Sequence, residues 1–325
     1  MRKIIILWYT IGNNFGDRLL YEVVKNKIEQ HGYLCESCEI GVSYRELEKK
    51  LDNIDFIWFA GGGIIERGIP NIILNMDRVC RDFPNIRYGV TGLSIGDFDY
   101  SRRSEQLSFW VRNSTFFYTR DEYTEKTLNN ISKSKIAKFS ADVVFSSQLI
   151  KKYKKNAISP ILGVNFRNVP YIDLTGDLEW DQWSDEINQI AKKYSYGCSI
   201  IPDESSEQKR LINLNCNVPE YSVDSALSTI ANSKIIVAMR FHVILVASML
   251  GVPVIPINYC PKVGRLAHQL QIEKLLLEIH DFASLASKFS SLINSYDFYS
   301  KTLKNNSDRL RAKSEEMFDK IFKDL

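Results

Sequence analysis

Hydrophobic residues in this chain fall in short unbroken runs, each followed by a polar or glycine-bearing stretch and then a helix-length segment. Parallel strands covered on both faces need such runs, so the pattern predicts strands alternating with helices. In the first half, strands are expected over 3–9, 33–38, 55–60, 87–91, 115–118 and 136–139. Helices are expected from about Asp17 and over 44–51, 72–81, 104–112 and 122–128. The charged stretch Lys151-Lys152-Tyr153-Lys154-Lys155-Asn156 breaks the rhythm, which restarts with strands over 160–166, 198–202, 235–239 and 254–257. The helices expected there run over 183–193, after Asp203, over 223–232 behind a Ser222 cap, and over 243–250, 263–270 and 283–292. A charged helix over 296–322 follows. The predicted domains are therefore 1–155 and 156–295, with a terminal helix over 296–325.

The stretch 234–262 carries the densest chemistry. An apolar strand ends in Arg240-Phe241-His242, an apolar helix follows, Gly251-Val252-Pro253 breaks it, and another strand starts at Val254. Arg240 and His242 thus sit where a strand hands over to its helix, which is where open α/β sheets bind ligands. If Arg240 to His242 is still extended, guanidinium and imidazole face one ligand; in a helix they diverge. The next helix has no acidic residue, and the free N–H groups at its start favour an anion. An anionic ligand beside an acid/base group fits this pattern. An Arg paired with a carboxylate and a His satisfied in the core fits it as well.

Other strand ends also carry candidates. Asn14 and Asp17 follow the first strand, Asp17 as a base, as a holder of sugar hydroxyls, or only as the complement of a positive helix terminus. Gly61-Gly62-Gly63 follows the third strand, where backbone N–H groups can approach a sugar or phosphate, or simply make a tight turn. The triplet has neither dinucleotide spacing nor a P-loop Lys-Ser/Thr, so NAD and ATP are not indicated. Gly92-Leu93-Ser94-Ile95-Gly96 is a third such loop. Asp97-Phe98-Asp99 matches a metal-binding D-x-D, but so short a match arises easily by chance, and no metal site is expected. Arg167 ends its strand as Arg240 does, and two arginines can clamp a carboxylate and a phosphate bidentately; a surface loop Arg is the alternative. The long loop 168–180 suits closure over a substrate, with Tyr171, Trp180 and Trp183 as stacking or packing residues.

Composition changes this picture little. A length of 325 residues exceeds the usual single core, which agrees with two domains. A net charge of +3 is too small to argue for nucleic acid, yet it tolerates an anionic membrane surface. The apolar run from Ile4 to Tyr9 is soon interrupted by Gly12, Asn13, Asn14 and Asp17, so neither a targeting segment nor a membrane span is expected. Five of the six cysteines lie in or near apolar segments and are expected as reduced thiols that pack as small hydrophobes. Cys35 and Cys38 form a C-x-x-C without a second pair or a His at zinc spacing, so metal or redox chemistry is not expected.

Arg240-Phe241-His242, Gly251-Val252-Pro253, Tyr259 and Lys262 together resemble the C-terminal signature of the polysaccharide pyruvyl transferase family, loosely M-R-x-H, G-x-P and Y-x-x-K. The run from Gly12 to Asp17, the glycine loops at 61–63 and 92–96, and Arg120-Asp121 are similar to earlier features of that family. The resemblance implies α/β architecture with two Rossmann-like domains facing a cleft, GT-B-like, and a C-terminal helix packing back on the first domain. It implies an enzyme that moves pyruvate from phosphoenolpyruvate onto two hydroxyls of a sugar, forming a ketal in bacterial exopolysaccharide or capsule biosynthesis.

In that frame His242 and Asp17 are catalytic, and Arg240, Arg167 and Lys262 bind the donor. Asn14, Gly61, Gly62, Gly63 and Ser94 face the acceptor, which the first domain holds while the second takes phosphoenolpyruvate. Arg120-Asp121 begins a helix in the family and can be structural. No cofactor is expected beyond phosphoenolpyruvate as donor substrate. The partners are that donor and a sugar, polyprenyl-diphosphate-linked in one form of the expectation, with no nucleic acid. The expected location is cytoplasmic, with peripheral contact at the inner face of the membrane. Two alternatives stay open: a nucleotide-sugar glycosyltransferase of the same architecture, and a non-catalytic sugar- or anion-binding relative. Many such glycosyltransferases hold the donor ribose with a Glu five residues before the Gly of a comparable G-x-P; here Val246 stands in that place.

Overall fold

A computed structural model describes residues 2–9, 14–65, 68–96, 99–155, 160–166, 180–203 and 214–325. The chain divides into two compact units. One is Met1–Gly12, Asp17–Ser147 and Leu310–Leu325; the other is Asn13–Gly16 and Gln148–Arg309. The division falls at Ser147, ahead of the Lys-rich stretch expected to mark it, and the terminal helix is shared between the units rather than a separate piece.

The first unit is built from β1 (Lys3–Trp8), α1 (Phe15–Gln30), β2 (Leu34–Glu39), α2 (Tyr44–Glu48), β3 (Phe56–Phe59), α3 (Asn71–Leu74) and α4 (Met76–Asp82). It continues through β4 (Arg87–Leu93), α5 (Ser104–Arg112), β5 (Phe116–Thr119), α6 (Glu122–Ser132) and β6 (Ala137–Phe139). All strands pair in parallel in the order β2-β1-β3-β4-β5-β6. Ile4 to Leu7 and Phe56 to Phe59 are wholly buried, as strands covered on both faces must be, whereas the edge strand β2 is largely polar. The Trp58 indole donates to the Thr91 hydroxyl at 2.9 Å, so this large ring is buried without leaving its N–H unsatisfied.

The second unit repeats the plan with β7 (Ile161–Asn165), α7 (Trp180–Tyr194), β8 (Gly197–Ile200), α8 (Val223–Asn232), β9 (Ile235–Ala238) and α9 (Phe241–Leu250). It ends in β10 (Val254–Asn258), α10 (Pro261–Leu270), β11 (Leu277–Glu278), α11 (Leu285–Asn294) and α12 (Tyr296–Asp324). Its parallel order is β11-β10-β9-β7-β8. In both units the first strand lies between the second and third, and the rest follow outward, so both are Rossmann-like. The strand order reverses between β1 and β3 in one unit and between β7 and β9 in the other, and open α/β sheets bind ligands at such switch points.

Helix ends follow local chemistry. Ser222 caps α8 through the Ser225 N–H, as expected, and Gly251 ends α9 in the left-handed region at φ 67°. From Val243 to Met249, α9 is buried all round, which explains its lack of a polar face. The half of α12 from Leu310 onward completes the first unit. There Phe318 and Phe322 stack on Trp58 at 6.3 and 5.7 Å, and Ser314 bonds Ser146 at 2.6 Å. No helix among the described residues is long and apolar enough to cross a membrane.

The expectation of reduced cysteines is corrected at one place: Cys198 and Cys216 form a disulfide. Asn217 donates to the Cys198 carbonyl at 2.9 Å and accepts from the Ile200 N–H at 2.8 Å, so the chain returns beside β8. That return, invisible in the sequence, brings the two Cα atoms to 4.4 Å, within bridging reach. Cys35 and Cys38 remain free on β2, where residues three apart point to opposite faces. Burial, followed by Glu29, pushes the Cys35 thiol up to about 11, which suppresses thiolate chemistry.

Closing the loop between Cys198 and Cys216 restricts the unfolded chain, so Cys216→Ser should lower stability by about 2–4 kcal/mol. Denaturant unfolding with and without reductant checks this. Equal midpoints for the oxidised protein and the variant would contradict it.

Candidate functional site

In the second unit the site is assembled where β7, β8 and β9 end. Asn165, the last residue of β7, is buried and joins all three strand ends. Its side chain donates to the Ile201 carbonyl and accepts from the Arg240 N–H, both at 3.1 Å, and its carbonyl accepts from the Met239 N–H at 2.9 Å. Arg240 is extended at φ −71°, ψ 127° and immediately precedes α9. Its Nε pairs with the Asp203 carboxylate, and the two side chains are only 7% and 4% exposed. Since β7 lies between β8 and β9, the ion pair spans the end of β7.

The carbonyl of Asp203 accepts the Phe15 N–H at 3.1 Å, tying the turn Asn14–Gly16 to this cluster. Asn14 is the cap of α1, its side chain accepting from the Gly16 N–H at 2.8 Å. Gly16 lies directly against His242: a Cβ there would stand 1.9 Å from the imidazole Nδ1. The extended geometry considered for Arg240 to His242 stops at Arg240, because α9 already begins at Phe241. The guanidinium therefore goes to Asp203 and the imidazole to Gly16. The Phe15 hydrogen bond keeps both groups in one cluster nonetheless.

Lys262 is half-buried in the first turn of α10, behind Pro261 at the first helical position. Arg167, Tyr171, Asp97 and the helix expected after Asp203 lie outside the described residues, as does the side chain of Trp180. Trp183 is a packing residue, buried with its indole donating to the Ile279 carbonyl at 3.0 Å.

In the first unit, Gly61 and Gly62 adopt φ 73° and 77°. A Cβ on Gly61 would stand 1.9 Å from the Thr91 carbonyl oxygen, so glycine is required by the chain's own backbone. Gly62 donates to the Gly92 carbonyl at 3.0 Å and accepts from the Ser94 N–H at 2.9 Å, extending the β3–β4 pairing. The Asp17 carboxylate lies 3.7 Å from where a Gly62 Cβ would be. Asp17, Gly62 and buried Ser94 are therefore brought together at the switch point, with half-buried Gly63 next in the chain.

Arg120 and Asp121 take separate structural roles in this unit. Arg120 forms a buried ion pair with Asp142 at 3.1 Å, and Asp121 caps α6 through the Thr124 N–H at 2.8 Å. Asp99 accepts from the Ser101 N–H at 2.9 Å and orders a turn. Among the described residues no group of three or more His, Cys, Asp or Glu side chains could hold a metal ion.

Sequence reasoning missed Asp203, Asn165 and the role of Gly16. Asn165 left a signal as a polar residue closing an apolar strand. Asp203 left a weaker one, an acid just past a strand end, but its partner depends on strand order.

Two Rossmann-like units with charged and glycine-lined switch points define a two-domain α/β protein, and the solved structures it resembles agree on the fold. Anabaena HepE, solved with UDP-glucose, is 12% identical over 100% of both chains, with a TM-score of 0.62. The UDP-GlcNAc 2-epimerase of Methanocaldococcus jannaschii is 12% identical, covering 89% of this chain and 92% of its own, with a TM-score of 0.62. An alpha-glucosyltransferase solved with UDP and a 13-mer DNA is 10% identical over 99% and 98%, with a TM-score of 0.56. These are GT-B glycosyltransferase and epimerase folds. The family pattern of polysaccharide pyruvyl transferases matches residues 14–261, and the chain belongs to that family. No curated protein matches it by sequence.

The close approach of Gly16 to His242 makes a prediction that is independent of activity. Gly16→Ala should cost about 1–3 kcal/mol through overpacking, and most of that cost should vanish in a His242→Ala background. A double-mutant unfolding cycle measures the coupling. Additive costs would mean that the imidazole does not rest on Gly16.

Proposed function

We propose that the protein transfers the pyruvyl group of phosphoenolpyruvate onto two hydroxyls of one sugar, closing a cyclic ketal on a precursor of a bacterial exopolysaccharide or capsule. The observation that carries this reading is the cluster of buried Arg240, Asp203 and Gly16 with half-buried His242 at the second unit's switch point, in a chain of the pyruvyl transferase family. An oriented guanidinium suits a carboxylate or phosphate, and an adjacent imidazole can give or take a proton.

In this mechanism the methylene carbon of the donor takes a proton and C2 becomes electrophilic. One sugar oxygen adds to C2 and loses its proton to a base. Phosphate then leaves with the electrons of its C2–O bond, and the second sugar oxygen adds in the same way and closes the ring. His242 is the acid/base group and Asp17 the second candidate. Arg240 holds the donor, assisted by Arg167 and by Lys262, which helps phosphate depart. Gly61, Gly62, Gly63 and Ser94, on the first domain, are assigned to the acceptor, and so is Asn14, although its turn groups with the second unit rather than with the first as the sequence suggested. The reaction needs no cofactor. The acceptor is proposed to be polyprenyl-diphosphate-linked and met from the cytoplasmic face of the membrane.

A nucleotide-sugar glycosyl transfer is the second reading, favoured by the neighbours solved with UDP or UDP-glucose. Against it, Val246, at the position where a ribose-holding Glu would stand, is apolar and fully buried within α9.

Acceptor-dependent phosphate release from phosphoenolpyruvate, assayed with a panel of lipid-linked and aryl glycosides, tests the proposal. Turnover of a nucleotide sugar instead would move the function to glycosyl transfer. In the same assay His242→Ala should lower turnover about 10²- to 10⁴-fold. Arg240→Lys should raise the donor KM despite keeping the charge, because lysine lacks the guanidinium fork. A folded His242→Ala variant with a normal rate would remove His242 from the chemistry, and an unchanged donor KM would remove Arg240 from donor binding.

A further inference from the structure

We infer that Asp203 is a positioning residue for donor binding: its carboxylate, held across the end of β7, fixes the plane of the Arg240 guanidinium. The inference rests on the pyruvyl transfer reading for the ligand that Arg240 meets. The pairing itself stands on geometry alone.

The strand order is the first support. Arg240 follows β9 and Asp203 follows β8, and β7 lies between those strands. Strands two apart are separated by about 10 Å, which a short side chain meets only if its partner is long. Arginine supplies the length, and Asn165 at the end of β7 holds the backbone on both sides, at Arg240 N–H and Ile201 carbonyl. Backbone and side chain of Arg240 are thus fixed by two different residues. Such fixing removes ordering that ligand binding would otherwise have to supply.

The second support is a contrast within the same chain. Arg120 and Asp142 also form a buried ion pair beyond strand ends, but they follow β5 and β6, neighbours at the sheet edge. That pair lies away from the switch point between β1 and β3. The Arg240–Asp203 pair flanks the switch point between β7 and β9, where a ligand is expected. A buried ion pair is weak evidence of stabilisation, so its location is the informative part.

Two effects of removing the Asp203 charge oppose each other. An uncompensated Arg240 attracts an anionic donor more strongly, whereas loss of the Nε partner lets the guanidinium turn. If orientation dominates, Asp203→Asn raises the donor KM about tenfold, the size of losing one well-placed charged hydrogen bond, with kcat nearly unchanged. Asp203→Glu, which keeps the charge one methylene further out, should raise it less.

The experiment measures KM for phosphoenolpyruvate and kcat for the wild type, Asp203→Asn and Asp203→Glu, beside the Arg240 Nε–H signal in ¹⁵N NMR spectra. A raised KM with little change in kcat, together with an Nε–H signal that is exchange-protected in the wild type and lost in Asp203→Asn, supports the inference. A KM that is unchanged or lower overturns it, as does a kcat loss at constant KM. If Asp203→Asn does not fold, Asp203→Glu decides by the same KM criterion. If the wild type does not consume phosphoenolpyruvate, the pyruvyl reading fails on its own. The NMR signal then decides the pairing: its loss in Asp203→Asn sustains the positioning of Arg240, and its persistence overturns it.

Discussion

Arg240 can be buried at the end of β9 only because Asp203 is buried with it. Removing one partner of such a pair costs roughly 3–5 kcal/mol, because the other is left as a charge without compensation. The rest of the second unit's site follows from satisfying this pair. Asn165 bonds the backbones on either side of β7, the Asp203 carbonyl takes the Phe15 N–H, and that bond brings Gly16 against His242. The helix after Arg240 carries no acid in its first turn, so its own element does not neutralise the guanidinium and Asp203 must.

Both units have the same strand order, yet they furnish their switch points differently. The first uses backbone: Gly61 and Gly62 at positive φ continue the pairing to Gly92 and Ser94, with Asp17 beside Gly62. The second uses charged and ionisable side chains: Arg240, Asp203 and His242. A surface of backbone groups and one carboxylate suits hydroxyls, and an oriented guanidinium suits an anion. The proposed reaction, with a sugar and an anionic donor as its two substrates, would use both kinds of surface.

Much of this was legible in the sequence because buried parallel strands must be continuous apolar runs. The runs at 3–9, 55–60 and 235–239 announce β1, β3 and β9, and the restart after the Lys-rich stretch announces a second sheet. Arg240 and His242 were legible as candidates because they end such a run. What the sequence does not carry is pairing across the sheet. Asp203 meets Arg240 through a strand order that no local pattern encodes, and Gly16 meets His242 from more than two hundred residues away. The Cys198–Cys216 bridge likewise depends on the chain returning beside β8. Start-of-helix details also escaped, since nothing in Arg240-Phe241-His242 says that the helix begins at Phe241 rather than after His242.

In the proposed reaction one donor carbon ends bonded to two oxygens of the same sugar. The most direct measurement is a carbon-13 spectrum of the product made from phosphoenolpyruvate labelled at C2, together with its mass. Ketal transfer gives a quaternary ketal carbon and a gain of one pyruvate less one water. A labelled carbon found in an enol ether of the acceptor, which has the same mass as the ketal, or left in phosphoenolpyruvate or free pyruvate with no gain in acceptor mass, would contradict it.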